Sequence, residues 1–217
     1  MTEILFTVLQ DILFFVLLIG GGWFFGRAFY KIYKGEPVFA KKVFTATENG
    51  IYKIMGVDPK EEMTAKKYAL GILLFSVFSL IFFIAVVMLQ AFLTMNPEHI
   101  EGMSWHLAFN TAASFVTNTN WQAYSGETGL SYLSQMICLT VQNFVSGAVG
   151  IAVLFALIRG FVVRQKKTIG NCWADITRVT LFMIPVCFVG AFILVSQGVP
   201  QTMSGSVSYT ALNGEAS

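Results

Sequence analysis

Apolar residues gather into four long runs along the chain, separated by polar stretches. Residues 4–25 form the first, interrupted by Thr7, Gln10, Asp11 and the trio Gly20-Gly21-Gly22. A helix of that length reaches about 33 Å, enough for a hydrocarbon core of about 30 Å. Residues 69–93 form the second. Between Ile72 and Leu89, 14 of 18 residues are Leu, Ile, Phe or Val, which favours membrane insertion by about 4–8 kcal/mol. The third run, residues 130–158, is long enough to tilt or protrude. The fourth, residues 179–196, contains Pro185, which a membrane helix tolerates as a kink when neighbours satisfy the freed carbonyl. The pattern predicts an all-α membrane protein, a single membrane domain over residues 1–217 with four transmembrane helices.

Two shorter segments carry the rest of the pattern. Within residues 41–55, Phe44, Ile51, Ile54 and Met55 fall at near-helical spacing. That fits a short helix on the membrane surface, or an irregular loop with snorkelling lysines, and Asn49-Gly50 weakens the helical version. Ser104 is an N-cap candidate for a helix from Trp105 to Phe115, about 18 Å or half a bilayer long. The sequence then turns to Val116-Thr117-Asn118-Thr119-Asn120-Trp121-Gln122, too polar to continue into lipid. Two readings remain open: a surface loop with a short helix, or a re-entrant pore helix followed by a filter strip. In the second, the helix aims its C-terminal end, with roughly half a negative charge, at the membrane centre, where it favours a cation. Backbone carbonyls beyond it replace the hydration shell of a passing ion, and irregular backbone at that depth must line a cavity or be enclosed by protein. In the third run Ser131, Gln135, Gln142 and Ser146 recur at steps of four, seven and four, with Asn143 alongside. They predict an interior face or interhelical glue, and Gly147 and Gly150 a close helix approach. Residues 201–217 read as a polar, flexible tail.

Composition and charge sharpen this picture. Only 12% of the 217 residues are charged, against about 25% in ordinary soluble domains, and 21 are Phe. A soluble domain and a disordered chain are both excluded. The scattered Cys138, Cys172 and Cys187 make no disulfide framework, and a net charge of +2 is too small to argue for nucleic acid. The placement of charge matters more. Nine Lys and Arg residues lie between Arg27 and Lys67, and the other five between Arg159 and Arg178. Glu3, Asp11, Glu98, Glu101, Glu127 and Glu215 lie in or beside the other segments. The positive-inside rule then makes loops 27–67 and 159–178 cytoplasmic and puts both termini outside. A crossing at 104–122 would move Arg159, Arg164, Lys166, Lys167 and Arg178 to the wrong side.

The block Asn110-Thr111-Ala112 with Ser114-Phe115-Val116-Thr117-Asn118-Thr119-Asn120-Trp121-Gln122 closely resembles the KdpA family. These are the potassium-channel-like subunits of bacterial Kdp potassium-uptake ATPases. The likeness continues through Tyr124-Ser125-Gly126-Glu127, Leu139-Thr140-Val141-Gln142-Asn143-Phe144 and Phe155-Ala156-Leu157-Ile158-Arg159, and covers nearly all of residues 1–200. It implies one long chain of four pseudo-repeats, each helix, pore loop and helix, around a single filter, preceded by an extra helix. Residues 4–25 would be the extra helix, 69–158 the first repeat, and 179–196 the opening of the second. The filter residues would be Val116, Thr117, Asn118, Thr119, Asn120 and Gln122, with potassium as the bound ion. The resemblance further implies residence in the bacterial plasma (inner) membrane. The implied partners are a catalytic P-type ATPase subunit, small membrane subunits of the Kdp complex, repeats two to four of the chain itself, and lipid, with no nucleic acid.

Beyond that opening helix, repeats two to four have no counterpart here, so the expectation is an amino-terminal fragment or truncated gene product, unable to surround an ion alone. Neither G-x-x-x-x-G-K-[ST] nor Asp-Lys-Thr-Gly occurs, so this chain is expected to bind no nucleotide, with hydrolysis in a partner. Glu98, His99, Glu101 and His106 match no recognised metal-ligand spacing. Asp11 lies about two turns from the end of its span, within reach of the interface. Two functions are carried forward: a partial potassium-binding and translocating subunit that contributes one filter strand, and a non-transporting protein with a structural or assembly role in the same complex.

Overall fold

The computed structural model describes residues 2–162, 167–200 and 202–205, with side chains from Leu5 onward. Gln201 and residues 206–217 of the expected tail, and Arg164 and Lys166 of the second basic loop, lie outside the described residues. Six principal helices follow in order: α1 (Thr2–Tyr33), α2 (Lys41–Met55), α3 (Ala65–Leu89), α4 (Trp105–Val116), α5 (Val141–Val162) and α6 (Cys172–Ser196). A short turn at Tyr132–Ser134 and a wide π turn at Gln135–Thr140 lead into α5. Four helical stretches are long and apolar enough to cross a membrane: Leu5–Tyr33, Ala65–Phe92, Tyr132–Val162 and Cys172–Ser196. The chain is therefore all-helical and multi-pass. Among the described residues the sheet-like pairing is confined to an isolated bridge between Thr64 and Thr168.

The spans extend past the apolar runs at the basic end of the bundle. α1 continues to Tyr33 through Arg27 and Lys31, and α6 begins at Cys172, seven residues before the run that predicts it. The charges between Cys172 and Val179 do not stop the helix because each is paired. Asp175 meets Arg159, and Arg178 meets Glu48. Asn171 caps α6 by accepting hydrogen bonds from Trp173 N (3.0 Å) and Ala174 N (3.2 Å). Its Nδ2 also donates to the carbonyls of Asp58 and Glu61, tying the first basic loop to the helix start. Cys172, expected in a loop, is buried beside Met63, with its sulfur where a Cβ on Gly71 would stand only 2.5 Å away. Gly71 is thus where two helices come close. A Cβ on Gly147 or Gly150 would meet nothing within 4 Å, so the close approach expected there is absent among the described residues.

Residues 41–55 form a helix rather than an irregular loop, and it runs straight through Asn49-Gly50. Its Phe44 and Tyr52 are buried, and Tyr52 Oη donates to Glu48 at 2.6 Å. Burial raises the Tyr52 pKa well above its ordinary value, so the hydroxyl stays a donor. Tertiary packing outweighs a local propensity deficit of about 1 kcal/mol for Gly. The core at this end joins Ala28, Ile32, Phe44, Phe155, Val179 and Phe182. α1 is held there by its last turns, where Phe25 and Phe29 meet Phe182 edge-on; from Leu5 to Gly20 it is exposed, Asp11 included.

At the opposite end, α4 lies in a cradle. Ala108, Ala112 and Phe115, at helical spacing, pack on Phe83, Ile84 and Val87 of α3 and on Leu130 and Cys138. The small alanines let the two backbones approach closely. Ser104 occupies the N-cap, but its hydroxyl caps nothing; its carbonyl accepts from Ala108 N at 2.9 Å.

Candidate functional site

α4 ends at Val116, and the next residues fold back on that end rather than leaving it. Thr119 N (2.8 Å) and Asn120 N (3.2 Å) both donate to the Ser114 carbonyl, and Trp121 N donates to Ser114 Oγ at 2.6 Å. Asn118 N donates to the Phe115 carbonyl at 3.2 Å. The N–H groups of four successive residues are thereby turned toward the helix. Asn118 (φ 59°) and Asn120 (φ 58°) are left-handed, on either side of a Thr119 that is not. Asn tolerates that region better than other non-glycine residues. Alternation of the sign of φ sends successive N–H groups to one side and carbonyls to the other. Among the described residues, the carbonyl oxygens of residues 116–120 accept no hydrogen bond.

Side chains complete the turn. Thr117 Oγ1 donates to the Ala113 carbonyl at 2.9 Å, which leaves Thr119 to donate to Thr117 Oγ1 across 3.1 Å. Ser146 on α5 reaches the Asn118 side chain at 3.1 Å. Residues 117–122 are all exposed, and Val116 is half-buried as the last residue of α4. Thus Thr117, Asn118, Thr119 and Asn120 form one compact unit, and Gln122 lies just beyond it. No Asp, Glu, Lys or Arg occurs from Trp105 to Gln122. The unit offers neutral oxygens on an exposed face at the negative end of a helix dipole, an arrangement suited to a weakly held cation.

Two side chains that position this region escape sequence reasoning. Gln90 is fully buried at the end of α3. Its Nε2 donates to the carbonyls of Glu101 (2.7 Å) and Gly129 (3.0 Å), and its Oε1 accepts from Ser131 N (3.1 Å). One amide thus joins the segments entering and leaving α4. Its sequence signal, a lone glutamine at the end of an apolar run, is commonplace. Ser114, which gathers the strip's N–H groups, is one small residue among several in its helix. Gly102 is required nearby, since a Cβ there would stand 2.1 Å from the Met88 carbonyl oxygen.

The basic end holds the other polar concentration. Arg159 Nη2 donates to Asp175 Oδ1 at 2.9 Å and to the Tyr33 carbonyl at 3.3 Å, and Nη1 donates to the Ile169 carbonyl at 3.2 Å. Its guanidinium lies 4.8 Å from the Tyr33 ring centre. The Tyr68 hydroxyl stands 2.9 Å from Asp175 Oδ2 and 2.8 Å from the Ala152 carbonyl. A cleft of about 350 Å³ opens beside this pair. Of the charges lining it, Arg159 pairs with Asp175, Arg178 with Glu48 and Glu61 with Lys67, Glu62 accepts from the Thr168 hydroxyl, and Lys60 stands at its edge. The Arg159–Asp175 pair acts there as a clamp between helices. Glu98, His99, Glu101 and His106 are not drawn together, and among the described residues no three His, Cys, Asp or Glu side chains are grouped to hold a metal.

Comparison with known proteins sets this geometry in context. The family described as "KdpA: Potassium-transporting ATPase A subunit" matches residues 12–217. The chain is 54% identical over 211 residues to a "Potassium-transporting ATPase potassium-binding subunit" of Listeria monocytogenes serotype 4a, covering 96% of this chain and 37% of that protein. Proteins of the same description from Clostridium botulinum (54% over 195 residues, 89% of this chain and 34% of theirs) and Pseudomonas syringae pv. tomato (50% over 202 residues, 93% and 36%) are similarly related. The chain spans little more than a third of the length of these relatives.

Proposed function

This chain belongs to the KdpA family of potassium-transporting ATPase A subunits, and from that premise we propose that it binds potassium and contributes one selectivity-filter strand to an ATP-driven uptake complex. In this reading α4 is a re-entrant pore helix. The filter residues are Val116, Thr117, Asn118, Thr119, Asn120 and Gln122, with the backbone carbonyls of the strip as the principal ligands. The observation that carries the reading is the turn after α4, whose N–H groups are bound to the helix end while its carbonyl oxygens stay unengaged. Such oxygens replace water around a monovalent cation, and the absence of a formal charge lets the ion leave again. The basic segments 27–67 and 159–178 then face the cytoplasm, and the strip, both termini and the segments around it face outward. Other parts of the subunit complete the ring of ligands. ATP is hydrolysed by a separate P-type subunit, with small membrane subunits alongside.

The test is substitution of Asn118 and Gln122 by Ala in the assembled complex. Potassium-stimulated ATP hydrolysis and potassium-limited growth should require severalfold more potassium, or discriminate less against other monovalent cations. Unaltered potassium dependence in both variants would overturn the assignment of this strip as a filter.

A further inference from the structure

We propose that Ser146 is a positioning residue for the filter strip, holding Asn118 in its left-handed turn and so setting the affinity and selectivity for the monovalent cation. The proposal rests on the filter reading above and names the residue of a different helix that controls the strip's shape.

What restrains residues 117–121 is almost wholly local. Their backbone N–H bonds all end on Ala113, Ser114 or Phe115, within α4 itself. The Thr117 and Thr119 hydroxyls also bond locally. Among the described residues, the sole hydrogen bond from another helix to this stretch is the one between Ser146 and Asn118. Ser146 is buried on α5, at 4% exposure, while Asn118 is exposed. A left-handed non-glycine residue costs roughly 1 kcal/mol or more, and an exposed turn with only local bonds has little to hold it there.

The chemistry of the contact adds a constraint. Ser146 Oγ lies 2.6 Å from the Gln142 carbonyl and 3.1 Å from Asn118 Oδ1. A hydroxyl has one hydrogen and cannot donate to both. The shorter contact is the common i−4 back-bond of a helical serine, which claims that hydrogen. A half-turn of the Asn118 amide then presents Nδ2 to Ser146 as donor and frees Oδ1 on the far side of the side chain. In either orientation the tie needs an oxygen on residue 146. A hydroxyl on a β-branched residue at that position preserves it; a methyl does not.

The experiment uses the assembled ATPase complex and reads apparent KM for potassium, kcat, and the ratio of KM values for rubidium and potassium. Ser146→Ala should raise the potassium KM roughly five- to tenfold, the effect of one lost hydrogen bond, and shift the rubidium ratio, with kcat within about twofold. Ser146→Thr should restore both. In an Asn118→Ala background, Ser146→Ala should add less than about twofold. An unchanged KM in Ser146→Ala, where Asn118→Ala alone raises it, overturns the positioning role and leaves the filter intact. Equal loss of kcat and yield in both Ser146 variants at constant KM overturns it in favour of plain packing. An unchanged KM in Asn118→Ala and Gln122→Ala overturns the filter reading itself, and this proposal with it.

Discussion

At each end of the bundle one side chain gathers the loops, a half-buried arginine at one and a buried glutamine at the other, and the two do so with opposite chemistry. At the basic end Arg159 collects Asp175, the Tyr33 carbonyl and the Ile169 carbonyl, uniting α1, α5, α6 and the loop before α6. At the strip end Gln90 collects the Glu101 and Gly129 carbonyls and the Ser131 N–H, uniting α3 with the segments on both sides of α4. A charged hub is the stronger organiser once paired, but it fixes a strong local field. A neutral amide satisfies three backbone groups with no net charge, beside a strip whose carbonyls would have to hold and release a cation. The clamp joins four segments with charge, and the amide joins three without adding charge beside the proposed filter strip.

Removing one charge of the clamp should have the largest effect. Asp175→Ala leaves the half-buried Arg159 without its counter-ion, a loss of up to about 3–5 kcal/mol, read as a large drop in the thermal midpoint and yield of the complex. Replacing both partners together, Arg159→Met with Asp175→Leu, should recover most of that loss. A double variant as unstable as the single one would break the comparison, because the carbonyl contacts and not the pair would then be holding the helices. Gln90→Leu comes next. It strands three backbone groups at a partly dry boundary, for about 2–4 kcal/mol, and should raise the potassium KM as the segments around α4 loosen. Stability lost without any change in KM would divorce this hub from the strip. Glu48→Gln is the mildest of the three, weakening the two bonds that Glu48 Oε1 accepts, from Arg178 and from Tyr52, by about 1–2 kcal/mol together. A double-mutant cycle with Arg178→Met measures that coupling directly.

How much of this was legible in the sequence follows from where each signal is stored. The four spans are written in long apolar runs, which nothing but a membrane or a large core explains. α4 is equally plain, since apolar residues at helical spacing give way at once to Thr117-Asn118-Thr119-Asn120. Its hydroxyl cap was not, because Ser104 fills the right position without using its side chain. The start of α6 at Cys172 was hidden by Asp175 and Arg178. They look like loop residues until Arg159 and Glu48, distant in sequence, are seen to neutralise them. α2 overrode Asn49-Gly50 through the burial of Phe44 and Tyr52, a tertiary effect that local propensity does not carry. Gln90, Ser114 and Ser146 were illegible as positioning groups for a common reason: each acts on backbone or side chains that the fold alone brings near.

The wide turn at Gln135–Thr140 has a consequence for reading the polar stripe. It holds one residue more than an ordinary turn, and Thr140 Oγ1 reaches back five positions to the Gln135 carbonyl. A helical wheel drawn through it loses phase, so the step of seven from Gln135 to Gln142 no longer returns to the same bearing. Gln135 accordingly looks to the carbonyls of Gly126 and Leu130, while Ser146 looks to Asn118. What the spacing presents as one stripe is two sectors with different duties, one mooring the return segment and the other bracing the strip.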